Sequence, residues 1–111
     1  MAGFKPRVGS ITINGVDFPA IVNISLMIEM EKAGISIDGI LSDDANRWQN
    51  LVWLITKAIN MGYEVQGIPE SVTETSVANA IDISDLVDIT EQIAALLGQT
   101  GRKVVAEPPK N

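Results

Sequence analysis

Residues 11–18 read Ile-Thr-Ile-Asn-Gly-Val-Asp-Phe, two short runs of alternating apolar residues joined by Asn14-Gly15. Asn-Gly suits a two-residue type I′ turn, because both central positions of that turn need positive φ. Such a turn sets Ile13 opposite Val16 and Ile11 opposite Phe18, so all four apolar side chains share one face. Pro19 has no N–H to give to a ladder and therefore ends the second strand or sits on its edge. The hairpin spans 10–19, and two strands alone are only marginally stable in water. Its apolar face needs partners from the rest of the chain. Those partners read as helices, which makes the fold class α+β, mostly α: an N-terminal β-hairpin packed on a small bundle of three to four helices.

The first helix is expected over about 24–33, with Asn23 as its cap and Gly34 as a left-handed stop. Leu26, Met30 and Ala33 share one face with Met27 beside it, while Ile24 and Ile28 lie four apart near the opposite side. A helix apolar on two sides is usually sandwiched in a core, and the alternative is that Ile28 belongs to a partner surface. A second helix is expected over about 44–61. Ser42 or Asp43 would cap it, Asp43 and Asp44 suit the positive end of its dipole, and Gly62 would stop it. Trp48, Leu51, Val52, Ile55, Ala58 and Ile59 make its core stripe. After a connector from Tyr63 to Glu70, a short helix over 74–80 and another over 84–97 follow, the last with the stripe Leu86, Ile89, Ile93, Leu96 and Leu97 and with Gly98 as its stop. Residues 1–98 form one globular domain in this reading, and 99–111, with Pro108-Pro109, form a polar, flexible C-terminal tail.

Composition narrows the function. A chain of 111 residues matches one domain. Eight Lys plus Arg against 14 Asp plus Glu give a net charge of −6, a field that repels a phosphate backbone, so nucleic acid is a poor partner. There is no Cys and no His, which removes the commonest zinc ligands, thiol nucleophiles and acid–base groups. The carboxylate pairs Asp43-Asp44 and Glu29/Glu31 fall at a cap and on a helix surface rather than in opposed environments. Asp82-Ile83-Ser84-Asp85 opens like a calcium loop, but Val87 stands where that loop needs Gly and Ile93 where it needs Glu. Phosphate-loop, dinucleotide and nucleophile-elbow motifs are absent. The expectation is a protein that is not an enzyme, with no catalytic, metal or cofactor-binding residues and no cofactor. The apolar stretch 51–61 is too short for a bilayer span, and no apolar run follows Lys5 and Arg7 as a secretory signal requires, so a cytoplasmic protein is expected.

One residue departs from the second helix's pattern. At 100° per residue Trp53 projects with Gln49, Thr56, Lys57 and Asn60, on the face that should be wet. A large aromatic there either covers a neighbouring loop or anchors a contact, since Trp is enriched at binding hot spots. Trp53, Gln49, Lys57 and Asn60, together with Ile28, are the candidate partner-binding residues. The acidic series Asp82, Asp85, Asp88 and Glu91 is most simply a solvated face, and its alternative is contact with a basic partner.

The order of elements carries a resemblance. A small N-terminal hairpin, the string Leu26-Met-Ile-Glu-Met-Glu-Lys32 running into Gly34-Ile35-Ser36, the helix from Trp48 to Met61 and a weaker helical C-terminal half together resemble the tail assembly chaperones of long-tailed, siphovirus-type bacteriophages. The resemblance rests on element order, size and acidity from Phe4 to about Gly101. It implies a protein partner, the long, helical, apolar tape-measure protein, which such chaperones hold before the tail tube polymerises around it, and it implies no catalytic set. A structural tail subunit that self-associates into a homo-oligomer is the alternative reading, and a small enzyme would need convergent polar groups in a pocket.

Overall fold

The computed structural model describes residues 7–37, 40 and 46–101. Two antiparallel strands, β1 (Gly9–Ile13) and β2 (Val16–Ala20), form a hairpin in the expected register, with Ile13 opposite Val16 and Ile11 opposite Phe18. Asn14 and Gly15 take φ values of 54° and 80°, the positive pair that a type I′ turn demands. Four α-helices follow among the described residues: α1 (Ile24–Ala33), α2 (Arg47–Val65), α3 (Glu74–Ala80) and α4 (Leu86–Gly101), the last entered through a 3₁₀ turn at Ile83–Asp85. The fold is α+β and mostly α, as expected. Helix α2 packs on β2 and carries α1 and α3, while α4 packs on β1.

Closing pairs of a two-residue hairpin are hydrogen-bonded, and pairs alternate outward from there. Thr12 and Asp17 are thus a non-hydrogen-bonded pair, as are Ser10 and Pro19, and the backbone groups of these residues face away from the partner strand. Pro19 therefore sits inside β2 rather than ending it, and its missing N–H costs the ladder nothing. Ile11 and Ile13 are buried and Phe18 is half-buried, but Val16, expected on the same inner face, is exposed at the turn end, beyond the reach of the helices. Gly15→Val should lower stability by about 1–2 kcal/mol, because a β-branched residue resists positive φ. Thermal melting checks this, and an unchanged melting temperature would mean that the turn can take another form.

The core joins Ile11 and Ile13 to Ala20 and Val22, to Leu26 and Met30 of α1, to Leu51, Leu54, Ile55 and Ile59 of α2, and to Ile89 and Ile93 of α4. Each large aliphatic side chain so buried contributes roughly 1.5–3 kcal/mol. Immediately after β2, the Ile21 N–H donates to the Ala58 carbonyl at 3.0 Å, pinning the hairpin's exit to the middle of α2.

Helix ends separate what the chain spells from what packing imposes. Asn23 caps α1 by accepting from Leu26 N–H at 3.2 Å, and Gly34 at φ 75° closes it, with Gly34 N–H to Glu31 O and Ile35 N–H to Met30 O, the paired bonds of a Schellman stop. Both ends match expectation. Helix α2 instead starts at Arg47, not 44, and runs through Gly62 to Val65, taking in the start of the expected connector. The residue with the left-handed φ is Gly67, where Gly67 N–H to Glu64 O and Ile68 N–H to Tyr63 O repeat the same stop. Gly62 serves a different need. A Cβ there would lie 2.7–2.9 Å from the backbone of Pro19 and Ala20, so only glycine lets β2 cross the helix this closely. Gly98 likewise does not stop α4, which continues to Gly101; glycine inside a helix costs about 1 kcal/mol and does not forbid it. The expected caps Ser42 and Asp43, the dipole partner Asp44 and the tail residues 102–111 lie outside the described residues.

Candidate functional site

Trp48 stands in the first turn of α2. It is 50% exposed rather than part of the core stripe, and the Arg47 guanidinium stacks over its ring at 4.4 Å from the centroid. Arg47 Nε also donates to the Ile40 carbonyl at 3.1 Å, which ties this end of α2 to the preceding segment.

Beside Trp48 lies an apolar groove of about 280 Å³. Leu51 and Val52 form its floor with Trp48, while Ile81, Ile83 and Leu86 form the opposite wall, where the chain turns from α3 into α4. Asp82 is the acidic residue among its lining. Ile83 is 87% exposed, and Val87, one turn further on, is 72% exposed, so the apolar surface extends past the wall onto α4. The wall holds its shape through backbone capping: Asp82 N–H donates to the Asp85 carboxylate at 3.2 Å, and Asp85 N–H to the Asp82 carbonyl at 2.9 Å. The cavity falls just under the roughly 300 Å³ at which small-molecule pockets begin and lacks the several convergent polar groups such pockets carry. Its lining suits apolar rather than polar contacts.

The expected partner residues are placed as follows. Gln49 and Lys57 are exposed on α2. Trp53 is half-buried and packed against the core, not on a fully wet face, with Lys57 Nζ 5.6 Å from its ring centroid. Thr56, expected beside them in solvent, is buried, and its hydroxyl donates to the Val52 carbonyl one turn back at 2.7 Å. Asn60 spends its whole amide on the connector: Nδ2 donates to the Val72 carbonyl at 3.0 Å, and Oδ1 accepts from Val72 N–H at 2.8 Å. The connector from Gly67 to Thr73, with Ile68 and Val72 packed on the core, explains why this side of α2 is partly covered. Ile28 is 47% exposed on α1, and Ile24 beside it 66%, so these two residues of α1 face outward. The structure thus keeps Gln49, Trp53 and Lys57 together on α2 and leaves Ile28 on another helix.

Trp48, Ile83 and Val87 were not singled out by their sequence. An aromatic in a helix's first turn and the apolar-acidic alternation Ile81-Asp82-Ile83 were the available signals. A second amide clamp was equally hidden. Gln92 of α4 accepts from Thr12 N–H at 2.7 Å and donates to the Thr12 carbonyl at 3.0 Å, covering an outward-facing edge position of β1, and it also donates to Asp88 at 3.0 Å.

Among the described residues, no helix is long and apolar enough to cross a membrane, and no group of three or more Asp and Glu is arranged to hold a metal ion. Comparison of the chain with protein-family models, with curated proteins and with solved structures finds no match.

Proposed function

We propose that this protein is a non-enzymatic binding protein that shields an apolar helical segment of another chain, in the manner of the phage tail assembly chaperones it resembles, with a tape-measure protein as the partner. The observation that carries this reading is the groove beside Trp48, concave, aliphatic and open, with exposed Ile83 and Val87 continuing it. Side-chain-lined troughs of this kind take the apolar face of an amphipathic helix. A half-exposed Trp with its ring already held by Arg47 offers a large, pre-oriented contact, the kind of residue that dominates binding energies.

The test is co-expression with a candidate tape-measure protein, a long helical chain that is insoluble when expressed alone, scoring the fraction that stays in the supernatant after centrifugation. Wild-type protein should keep the partner soluble. Trp48→Ala should weaken the complex by about 2 kcal/mol, roughly thirtyfold, while changing melting little, because half the ring is already in water. Trp53→Ala reports on the neighbouring face and should cost more stability, since that ring packs on the core. Failure of wild-type protein to change the partner's solubility would reject the chaperone reading. The structural-subunit reading draws on Ile24 and Ile28, an outward apolar pair on α1. It requires concentration-dependent self-association that Ile28→Ser abolishes, read by size-exclusion chromatography.

A further inference from the structure

Asn14 is followed by glycine, and no other asparagine of the chain is. Among the described residues it is also the one residue besides glycine with a positive φ, 54°, and both it and Gly15 are exposed. The ladder bonds at this end of the hairpin belong to the Ile13–Val16 pair, so the Gly15 N–H lies outside the ladder. A Cβ placed on Gly15 would meet nothing within 4 Å, which leaves this peptide open to water and hydroxide. We propose that Asn14 is a site of spontaneous deamidation in the folded protein, and that its isoaspartyl product unlocks the hairpin. The inference is independent of the groove and of any partner.

The Gly15 nitrogen, on losing its proton to hydroxide, attacks Asn14 Cγ. A new C–N bond closes a succinimide ring, the bond from Cγ to Nδ2 breaks, and the amide nitrogen takes a proton from water and leaves as ammonia. Water then adds to one of the two imide carbonyls. Addition at Cγ breaks the bond just made and gives aspartate on an ordinary backbone. Addition at the main-chain carbonyl breaks the original peptide bond instead and gives isoaspartate, with the chain running through Cβ and Cγ. Either way one water is consumed and one ammonia released, nothing is oxidised or reduced, and the net charge of −6 becomes more negative by one unit.

Glycine favours the attack because no side chain shields its nitrogen. Asn23 and Asn60 are placed otherwise: they precede Ile24 and Met61, the Asn23 side-chain oxygen accepts from Leu26 N–H, and the Asn60 amide is bound to Val72. Ring closure needs Asn14 to rotate out of the turn, and only local opening is required. Val16, the strand residue beside the turn, is 53% exposed, and chain ends and loops of this kind open at far lower cost than the whole fold. Isoaspartate then inserts an extra methylene into the main chain. The two-residue spacing that sets Ile13 opposite Val16 is lost, although Ile13 is part of the core.

The test ages the purified full chain in mildly alkaline buffer at physiological temperature, folded and, in parallel, unfolded in urea. Tandem mass spectrometry of the tryptic fragment Val8–Lys32, which holds Asn14 and Asn23, should show a gain of about 1 Da at residue 14, an amide NH₂ replaced by OH, with Asn23 unchanged. The urea sample should convert faster, because its turn is always open. Aged folded chains should accept a methyl group from an isoaspartyl methyltransferase. Collected by anion exchange, they should melt lower than Asn14→Asp, which carries the same charge on an ordinary backbone and keeps a dipeptide, Asp-Gly, that suits the turn. Their Ile13 N–H should exchange roughly tenfold faster than that of Asn14→Asp. Asn14 intact in the folded sample while the urea sample converts would overturn the proposal by showing that the turn protects its own asparagine, and conversion in neither would overturn it as well. Aged chains that melt and exchange like Asn14→Asp would overturn the unlocking of the hairpin.

Discussion

Gly62→Val should cost about 3 kcal/mol, a large share of the roughly 5–15 kcal/mol by which native domains are stable. A Cβ at this position meets the Pro19 carbonyl carbon and oxygen and the Ala20 nitrogen at 2.7, 2.8 and 2.9 Å, all backbone atoms that cannot swing aside like a side chain. Moving β2 away would also stretch the Ile21 N–H to Ala58 carbonyl bond and open the packing of Ala20, Ile55 and Ile59. Gly62→Ala isolates the contact. Alanine in mid-helix is intrinsically better than glycine by about 1 kcal/mol, so a net loss of stability measures the clash with the propensity gain already subtracted. Urea denaturation of both variants checks the expectation. A gain of about 1 kcal/mol in Gly62→Ala would show that the strand yields and that glycine is not required.

The second large effect is expected at Gln92. Gln92→Leu keeps the bulk of the side chain and removes both hydrogen bonds to Thr12, leaving an N–H and a carbonyl unpaired in a half-buried place. A fully buried orphan costs about 1–3 kcal/mol, so the pair at partial burial should cost about 2 kcal/mol. Gln92→Glu retains an acceptor for Thr12 N–H but faces the Thr12 carbonyl with an oxygen and places a second carboxylate beside Asp88, so it should not rescue stability. Amide hydrogen exchange gives the site-specific readout: Thr12 N–H should lose its protection in Gln92→Leu, whereas Ile11 and Ile13, which bond across the hairpin, should keep more of theirs. Unchanged exchange at Thr12 would mean that another group takes over the edge.

The hairpin and the first helix were legible because their determinants are local. Asn14-Gly15 encodes its own turn, and Asn23 and Gly34 bracket α1 within a few residues of the backbone groups they satisfy. Gly62 and Gly67 show where local spelling runs out. Both look like helix stops, yet only Gly67 has the left-handed φ, and the reason for Gly62 is a strand much earlier in the chain. The two tryptophans of α2 depart from the helical wheel for a related reason. A wheel gives angular phase but not how closely neighbours pack at each level of the helix, so it counts Trp48 as core although that residue borders an open groove, and it leaves Trp53 either covering a loop or anchoring a contact, of which the structure shows a half-buried ring packed on the core. Asn60 is expected by its helical phase on the wet face, as a candidate partner-binding residue. It is committed to Val72 by two bonds, a role set by the path of the connector, which no periodicity records.

Because Thr12 is held by a residue 80 positions later, assembly of this domain has an order imposed by synthesis. At about 5–20 residues per second, roughly 4–16 s separate the making of Thr12 from that of Gln92. During that interval the nascent hairpin has an open edge and an incompletely covered apolar face, with α4 not yet present to pack on β1. Joining the two ends also closes a long loop, whose entropy is lost before the native contacts are gained, which slows folding. The last helix made is therefore the one that seals the first element made, and a chain halted before Gln92 would present the edge of β1 to its neighbours.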